Sequence, residues 1–170
     1  DVYKRQVLYR PLGRIKYMPL DNFSMSYQFS MQPTIPSLST LSGITKSLNR
    51  YEFETGNSAL HPYDNIKHKL SLSWNPNRWY ISLNYNIESA KNLFAPGIYC
   101  QNGKLGYQHI NFDSKTVSKI DFYTSFDIIK DMLFIDGYIS YNYYKFRIED
   151  ETFSLTDYTY CLLYTSDAAD

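Results

Sequence analysis

The most regular feature of the chain is a strict alternation of apolar and polar residues near its start. From Asn22 to Gln32 every second residue is apolar. Successive side chains of a β-strand point to opposite faces of the sheet, so this pattern predicts a strand with one apolar and one polar face. The apolar face of this strand carries Phe23, Met25, Tyr27, Phe29 and Met31.

The same alternation returns in two further pairs of segments. Residues 66–74 and 79–88 are joined by Asn-Pro-Asn, and residues 120–128 and 133–142 are joined around Lys130 and Asp131. Both joins predict tight hairpin turns, and a third is expected at Leu20 and Asp21. Weaker strand patterns occupy 14–17 and the segment from Thr152 onward. The fold predicted is therefore all-β, an antiparallel meander of about six or seven strands.

The connections between these hairpins are unequal in length. The links 33–65, 89–116 and 149–151 with its flanks are polar and show no strand pattern, so we expect loops there. Short turns at one end and long loops at the other are typical of outer-membrane barrels. Ten residues at about 3.3 Å each, tilted by about 45°, span roughly 24 Å, the height of an outer-membrane apolar band.

The pattern thus favours an open segment of a transmembrane β-barrel with its apolar face toward lipid. Trp74 and Trp79 flank a turn and suit an interfacial aromatic girdle. The polar face, rich in Ser, Asn and Asp, would line a wet lumen. The residues expected to face lipid are Phe23, Met25, Tyr27, Phe29, Met31, Leu70, Leu72, Ile81 and Leu83.

The two ends of the chain do not share this pattern. Residues 1–6 and 161–166 can be encoded by DNA segments that are reverse complements of each other. The pair resembles the translated mosaic end of a transposase-based sequencing adaptor, and residues 167–170 resemble its continuation. We therefore expect 1–6 and 161–170 to be adaptor-derived and not native, which leaves 7–160 as a partial outer-membrane barrel. A terminal inverted repeat within a gene is the alternative.

Composition and charge exclude several classes of function. The 17 basic and 17 acidic residues balance, which removes the electrostatic case for a nucleic-acid partner. Two cysteines cannot build a disulfide-rich scaffold or a four-cysteine zinc site. No apolar run is long enough for a transmembrane helix.

No group of residues has the spacing of a catalytic or metal site. His61, His68 and His109 are scattered without ligand spacing. No G-x-S-x-G motif and no glycine-rich loop after a strand occurs. We therefore expect no enzyme activity, no cofactor and no metal. Lys67 and Lys69 share the polar face, where they could attract anions, but solvated lumen residues are the simpler interpretation.

Two loop segments carry a family resemblance. Residues 27–42 read YQFSMQPTIPSLSTLS, and residues 56–62 read GNSALHP. They resemble the outer-membrane β-barrel family of TonB-dependent receptors common in Bacteroidetes, over residues 11–87. In that family an upward strand ends near Arg-Pro, and a Gly-Asn-Pro-x-Leu-x-Pro element leads into the next strand. This chain has Gln32 in place of the Arg and Ser58 in place of the first Pro of that element, while Gly56, Asn57, Leu60 and Pro62 keep the spacing.

The loop-to-strand motif Gly56, Asn57, Leu60 and Pro62 has a structural interpretation. Gly and Asn tolerate positive φ, which would allow a sharp re-entry into the strand. Pro62 has no N–H to donate to a ladder, so strand pairing should begin after it. We do not expect these residues to bind a ligand.

The resemblance implies a function for a larger protein of which this chain is a piece. It implies a 22-stranded, plugged receptor that imports a nutrient across the outer membrane of a Gram-negative bacterium, using energy passed through TonB. The expected partners are outer-membrane lipid, the remaining barrel strands, the plug and, through the plug, TonB; the ligand is not identified. Two alternatives stay open: a smaller passive outer-membrane barrel (a channel or an adhesin), and a soluble, secreted, carbohydrate-binding β-protein.

Overall fold

The structure, a computed structural model, describes residues 9–129, 133–148 and 151–166. Within these residues it contains strands and one short helix. In chain order they are β1 (Leu12–Leu20), β2 (Phe23–Thr34), α1 (Leu38–Leu41), β3 (Thr45–Ser47), β4 (Glu52–Thr55), β5 (Tyr63–Trp74), β6 (Trp79–Lys91), β7 (Phe94–Gln101), β8 (Lys104–Asn111), β9 (Ser114–Ile129), β10 (Leu133–Ile148) and β11 (Glu151–Ser166).

Seven of the strands form one large sheet, which we call the wall sheet. Its order is β1-β2-β5-β6-β9-β10-β11, and every neighbouring pair is antiparallel. Strands β1 and β11 lie at opposite edges and do not pair with each other, so the sheet is an unclosed barrel segment. The prediction of an all-β antiparallel meander, open at both edges, is confirmed.

The two long links fold into a second sheet, which we call the loop sheet. Its order is β3-β4-β8-β7, and its central pair is parallel, with Phe53 opposite Gly106. The expectation that links 33–65 and 89–116 lack strands is therefore wrong. A local turn explains part of it: Asn102 and Gly103 both have positive φ, 52° and 72°, as the tight turn between β7 and β8 requires.

Other predicted connections need separate comment. The link around 149–151 is not long, because Ile148 pairs directly with Glu151. Residues 149 and 150 lie outside the described part, as do Lys130 and Asp131, where a hairpin turn was expected. Residues 1–8 and 167–170 also lie outside it. The segment 161–166, expected to be adaptor-derived, forms the last part of β11.

Strand register sorts the side chains of the wall sheet onto two faces. Directly paired residues share a face, so the row through Leu72 is apolar and the row through Ser71 is polar. The apolar row runs Met25, Leu72, Leu83, Phe122, Ile139. The polar row runs Ser26, Ser71, Asn84, Asp121, Ser140.

The polar face is the sheltered one. Ser82 and Ser140 are buried, with only 2% of Ser140 exposed, whereas Leu83 and Ile139 on the apolar face are 39% and 56% exposed. The loop sheet does not cover the apolar face, because the strands that make extensive contacts with one another belong to the same sheet in every case. Burying serine while exposing leucine is the reverse of a water-soluble domain.

The apolar stripe crosses the strands obliquely, as its lower end shows. On β2 the stripe begins at Phe23, and the register leads from Phe23 through β5 and β6 to Thr124 on β9. On β9, however, the apolar positions continue to Ile128, four residues further toward the turns.

The upper end of the stripe shifts by the same amount. Met31 on β2 leads by register to Thr116 on β9, but the apolar positions of β9 stop at Ile120, four residues lower. Four residues rise about 13 Å, and the three strand spacings from β2 to β9 cover about 14 Å. The band therefore lies at roughly 45–50° to the strands. The strands are thus tilted by about 40–45° from the perpendicular to the band, as in outer-membrane barrels.

One polar pair lies within the apolar face. The Tyr27 hydroxyl and Nδ1 of His68 form a hydrogen bond of 2.7 Å, and the Phe29 ring lies 5.2 Å from the imidazole. Because β2 and β5 are adjacent, this bond links two neighbouring strands across the apolar face. Each group satisfies the other.

We expect Tyr27→Phe to lower the free energy of unfolding by about 1 kcal/mol, because it leaves an imidazole nitrogen without its partner. Urea unfolding of the chain in detergent micelles measures the change. Tyr85→Phe is the matched control: Tyr85 lies in the same cross-strand row, and no hydrogen bond of its hydroxyl is found in the described residues. Equal destabilisation by both substitutions would contradict the role given to the Tyr27–His68 bond.

Candidate functional site

The polar face of the wall sheet is the candidate functional surface. Hydroxyl and amide groups bond across its strands: Ser24 Oγ lies 2.7 Å from Ser73 Oγ, and Ser71 donates to Asn84 at 2.7 Å. These short side chains lie opposite one another because the alternation is in register on every strand. The face is thus a hydrogen-bonded polar surface several strands wide.

Charged groups of this face are concentrated in the half nearer the long links. Lys67 Nζ lies 3.1 Å from Glu88, which also accepts a hydrogen bond from Asn65 Nδ2 at 2.9 Å. Lys119 Nζ lies 3.2 Å from Asp121. Both pairs are partly exposed, so each contributes little to stability by itself. Their positions matter more for whether positive or negative charge predominates on this part of the face.

Two tyrosines cross-link β9 and β10 on the same face. Tyr123 and Tyr138 are directly paired in register. Each donates a hydrogen bond to an aspartate of the opposite strand: Tyr123 to Asp136 at 3.0 Å, and Tyr138 to Asp121 at 2.8 Å. Both tyrosine hydroxyls and both aspartates in this crossed arrangement therefore have a hydrogen-bond partner, which suits a rigid sheet surface that is exposed to water.

The nine residues expected to face lipid all lie on the apolar face. Register pairs Met25 with Leu72 and Leu72 with Leu83, Phe23 with Trp74 and Trp74 with Ile81, and Tyr27 with Leu70. Phe29 and Met31 continue the same parity on β2. None of them is buried by the rest of the chain. The structure therefore brings this set together on one uncovered surface.

The loop-to-strand motif has a different local geometry from the expected one. Neither Gly56 nor Asn57 takes a positive φ, so that part of the expectation is wrong. Glycine is needed at 56 for another reason: a Cβ there would overlap the backbone carbonyl of Ser42. The chain passes itself backbone to backbone at this point, and a side chain has no room.

The rest of the motif anchors the loop to both sheets. The Asn57 N–H donates to Thr40 O at 2.7 Å, and Asn57 Nδ2 donates to His109 O on β8 at 3.0 Å. Leu60 is buried, with 6% exposed. Strand β5 begins at Tyr63, directly after Pro62. Pattern reasoning missed the contact between Asn57 and β8, because nothing in the local sequence marks a partner so distant in the chain.

A cleft of about 380 Å³ lies on the loop sheet. Glu52 accepts hydrogen bonds from Tyr107 at 3.2 Å and from Asn49 at 2.6 Å. The hydrogen bond to Glu52 raises the pKa of Tyr107. Glu54 and His109 also line the cleft.

The side chains that bind metal ions in proteins lie apart from one another in the described part of the chain. They hold no group of three or more His, Cys, Asp or Glu side chains placed to bind a metal ion. Of the histidines, His68 belongs to the apolar face, His109 to β8, and His61 to the loop before β5. Within the same residues, no helix has the length and apolar character needed to cross a bilayer.

An uncovered apolar face, a sheltered polar face and an apolar band oblique to the strands define a section of an outer-membrane β-barrel. A family model described as the outer membrane protein beta-barrel family matches residues 11–166. The chain belongs to this family, and its place is the outer membrane of a Gram-negative bacterium. No curated protein matches the sequence significantly.

Two solved structures share the fold at low sequence identity. The copper transporter OprC has a TM-score of 0.66 at 11% identity, covering 87% of this chain and 22% of its own. The siderophore receptor PirA from Pseudomonas aeruginosa has a TM-score of 0.63 at 12% identity, covering 91% of this chain and 34% of its own. The chain thus spans about a fifth of one and a third of the other.

We expect Gly56→Ala to destabilise the loop by about 1–3 kcal/mol, because the new methyl group must push two backbone segments apart. Hydrogen exchange should show faster exchange at the Asn57 amide, which bonds to Thr40, and at Leu60. Gly43→Ala is the control, since a Cβ at 43 meets nothing within 4 Å. Unchanged exchange in Gly56→Ala would show that the backbone contact with Ser42 is not tight.

Proposed function

We propose that the chain is a section of the barrel of a larger TonB-dependent receptor that imports a nutrient across the outer membrane. The observation that carries the proposal is the wall sheet itself: an apolar band crossed by strands tilted at roughly 40–45°, on an uncovered face opposite a polar, sheltered face. Family membership and the likeness to a copper transporter and a siderophore receptor support it.

In this proposal the apolar face contacts lipid and the polar face lines the lumen. The residues that would meet acyl chains belong to three adjacent strands: Phe23, Met25, Tyr27, Phe29 and Met31 of β2, Leu70 and Leu72 of β5, and Ile81 and Leu83 of β6. Trp74 and Trp79, both exposed, flank the β5–β6 turn at the expected level of the membrane interface.

The proposal requires partners beyond these seven strands. The outer edges of β1 and β11 leave backbone groups unpaired, which a bilayer does not tolerate, so further strands must close the barrel. A plug within the lumen and TonB acting on it would supply the energy for import. The described strands contain no part of that coupling. The substrate class stays open at this level.

A soluble, carbohydrate-binding β-protein fits the structure poorly. Such a fold packs a second layer on its apolar face, but here that face is bare. A smaller passive barrel shares the same wall and differs only in strand number and in having no plug.

We also propose that residues 1–6 and 161–170 are not native. The family match runs to residue 166, but the alternation stops earlier. Thr159 and Asp157 keep the polar face of β11 polar, whereas Cys161 and Leu163 lie on that face opposite Tyr138 and Asp136. Four consecutive apolar residues at 161–164 end the alternation of residues 157–160, as a foreign reading frame would.

Long-read sequencing of the source DNA outward from the codons of Val7 and Tyr160 tests both proposals. We expect the frame to continue into many more alternating strands, with an upstream plug domain and a signal peptide. We also expect the native codons beyond 160 to restore the polar positions of β11.

Two results would overturn these proposals separately. A frame that closes after about eight to fourteen strands without a plug would make the protein a small passive barrel. Adaptor-like codons that persist within the genomic frame would show that the ends are native, whatever the strand number.

A further inference from the structure

A second feature of the polar face is an open cleft of about 310 Å³ at the loop end of the wall sheet. It spans β2, β5, β6 and β9, which are four adjacent strands of the wall sheet. Its lining combines apolar groups of Ile87 and Val117 and the carboxylate of Glu88 with six residues that carry hydrogen-bond donors: Gln28, Ser30, Lys67, Lys69, Asn86 and Lys119.

Register places the cationic groups of this cleft within reach of one point. Gln28, Lys69, Asn86 and Lys119 form one continuous cross-strand row. Lys67 lies two residues from Lys69 on the same face, about 7 Å away along β5. Lys69 and Lys119 are separated only by the short Asn86, so their long side chains can approach a common ligand from both sides.

The cleft has more positive than negative charge. Lys67 is paired with Glu88 at 3.1 Å, and Lys119 with Asp121 at 3.2 Å. In the described part of the chain no carboxylate lies within ion-pair distance of Lys69. Its charge is therefore uncompensated, and the two side-chain amides beside it, of Gln28 and Asn86, add neutral donors.

We propose that this cleft binds an oxyanion group, a carboxylate or a phosphate, carried by a solute in the lumen. Lys69 is the principal contact, with Lys119 and the amides of Gln28 and Asn86 as further donors. Charge-assisted hydrogen bonds from ammonium groups are the strong interactions available to such a group. The proposal rests on the proposed function only in taking the polar face as a wet lumen wall.

The test uses the full chain in micelles of an uncharged detergent, with its lysines labelled by ¹³C-dimethylation so that each gives its own NMR signal. Inorganic phosphate and acetate are titrated separately at constant ionic strength. We expect the Lys69 signal to shift and saturate with at least one of the two anions. Saturation by phosphate alone identifies a phosphoryl group, and saturation by both identifies a general oxyanion site.

Charge-matched variants locate the site. Lys69→Gln should lower the affinity for the anion that saturates by about tenfold, which is the loss expected for a hydrogen bond to a charged group. Lys104→Gln, at the start of β8 in the loop sheet, removes the same charge elsewhere and should change nothing.

A second pair of variants tests the charge balance without touching Lys69. Glu88→Gln removes the partner of Lys67 and should strengthen binding several-fold. Glu54→Gln, on the loop sheet, should leave affinity unchanged.

Either of two results would overturn the inference. Linear, non-saturating shifts at all lysines would show an ionic atmosphere and no site. Equal affinities of Lys69→Gln and Lys104→Gln would show that Lys69 is not the contact. Neither result bears on the barrel proposal, which the flanking DNA tests.

Discussion

The structure depends on one constraint: a backbone that crosses hydrocarbon must bond all its N–H and C=O groups to other backbone groups. The wall sheet meets this with long antiparallel ladders, sixteen residues in each of β9 and β10. Such strands are longer than those of ordinary soluble sheets. About ten tilted residues are enough to cross the apolar band, so these strands also extend beyond it.

The same constraint decides where polar side chains are placed. A polar group on the apolar face must carry its own partner. Asp121 and Asp136 lie on the polar face and still receive tyrosine hydroxyls across the strand pair. Tyr27 and His68, on the other side, bond to each other. Stability thus comes from ladders and mutually satisfied pairs more than from burial of apolar surface.

The sequence was sufficient to predict the strands of the wall sheet but not those of the loop sheet, and the reason is physical. Alternation is a local signal, and a lipid–water boundary enforces it residue by residue, so the strands around Met25, Leu72 and Leu83 could be read directly. The pairing of Phe53 with Gly106 joins segments about fifty residues apart and leaves no period in either. The Asn102–Gly103 turn was a readable signal for part of the loop sheet, whereas the contact of Gly56 with Ser42 was not.

The loop sheet joins two of the long connections of the wall sheet. Because β4 and β8 come from different links, their parallel pairing joins the connections β2–β5 and β6–β9 into one unit. The strands below those connections, β2, β5, β6 and β9, are the four that form the cationic cleft. Asn57 adds a hydrogen bond between the motif before β5 and β8. The two long links are therefore one folded element and not two independent loops.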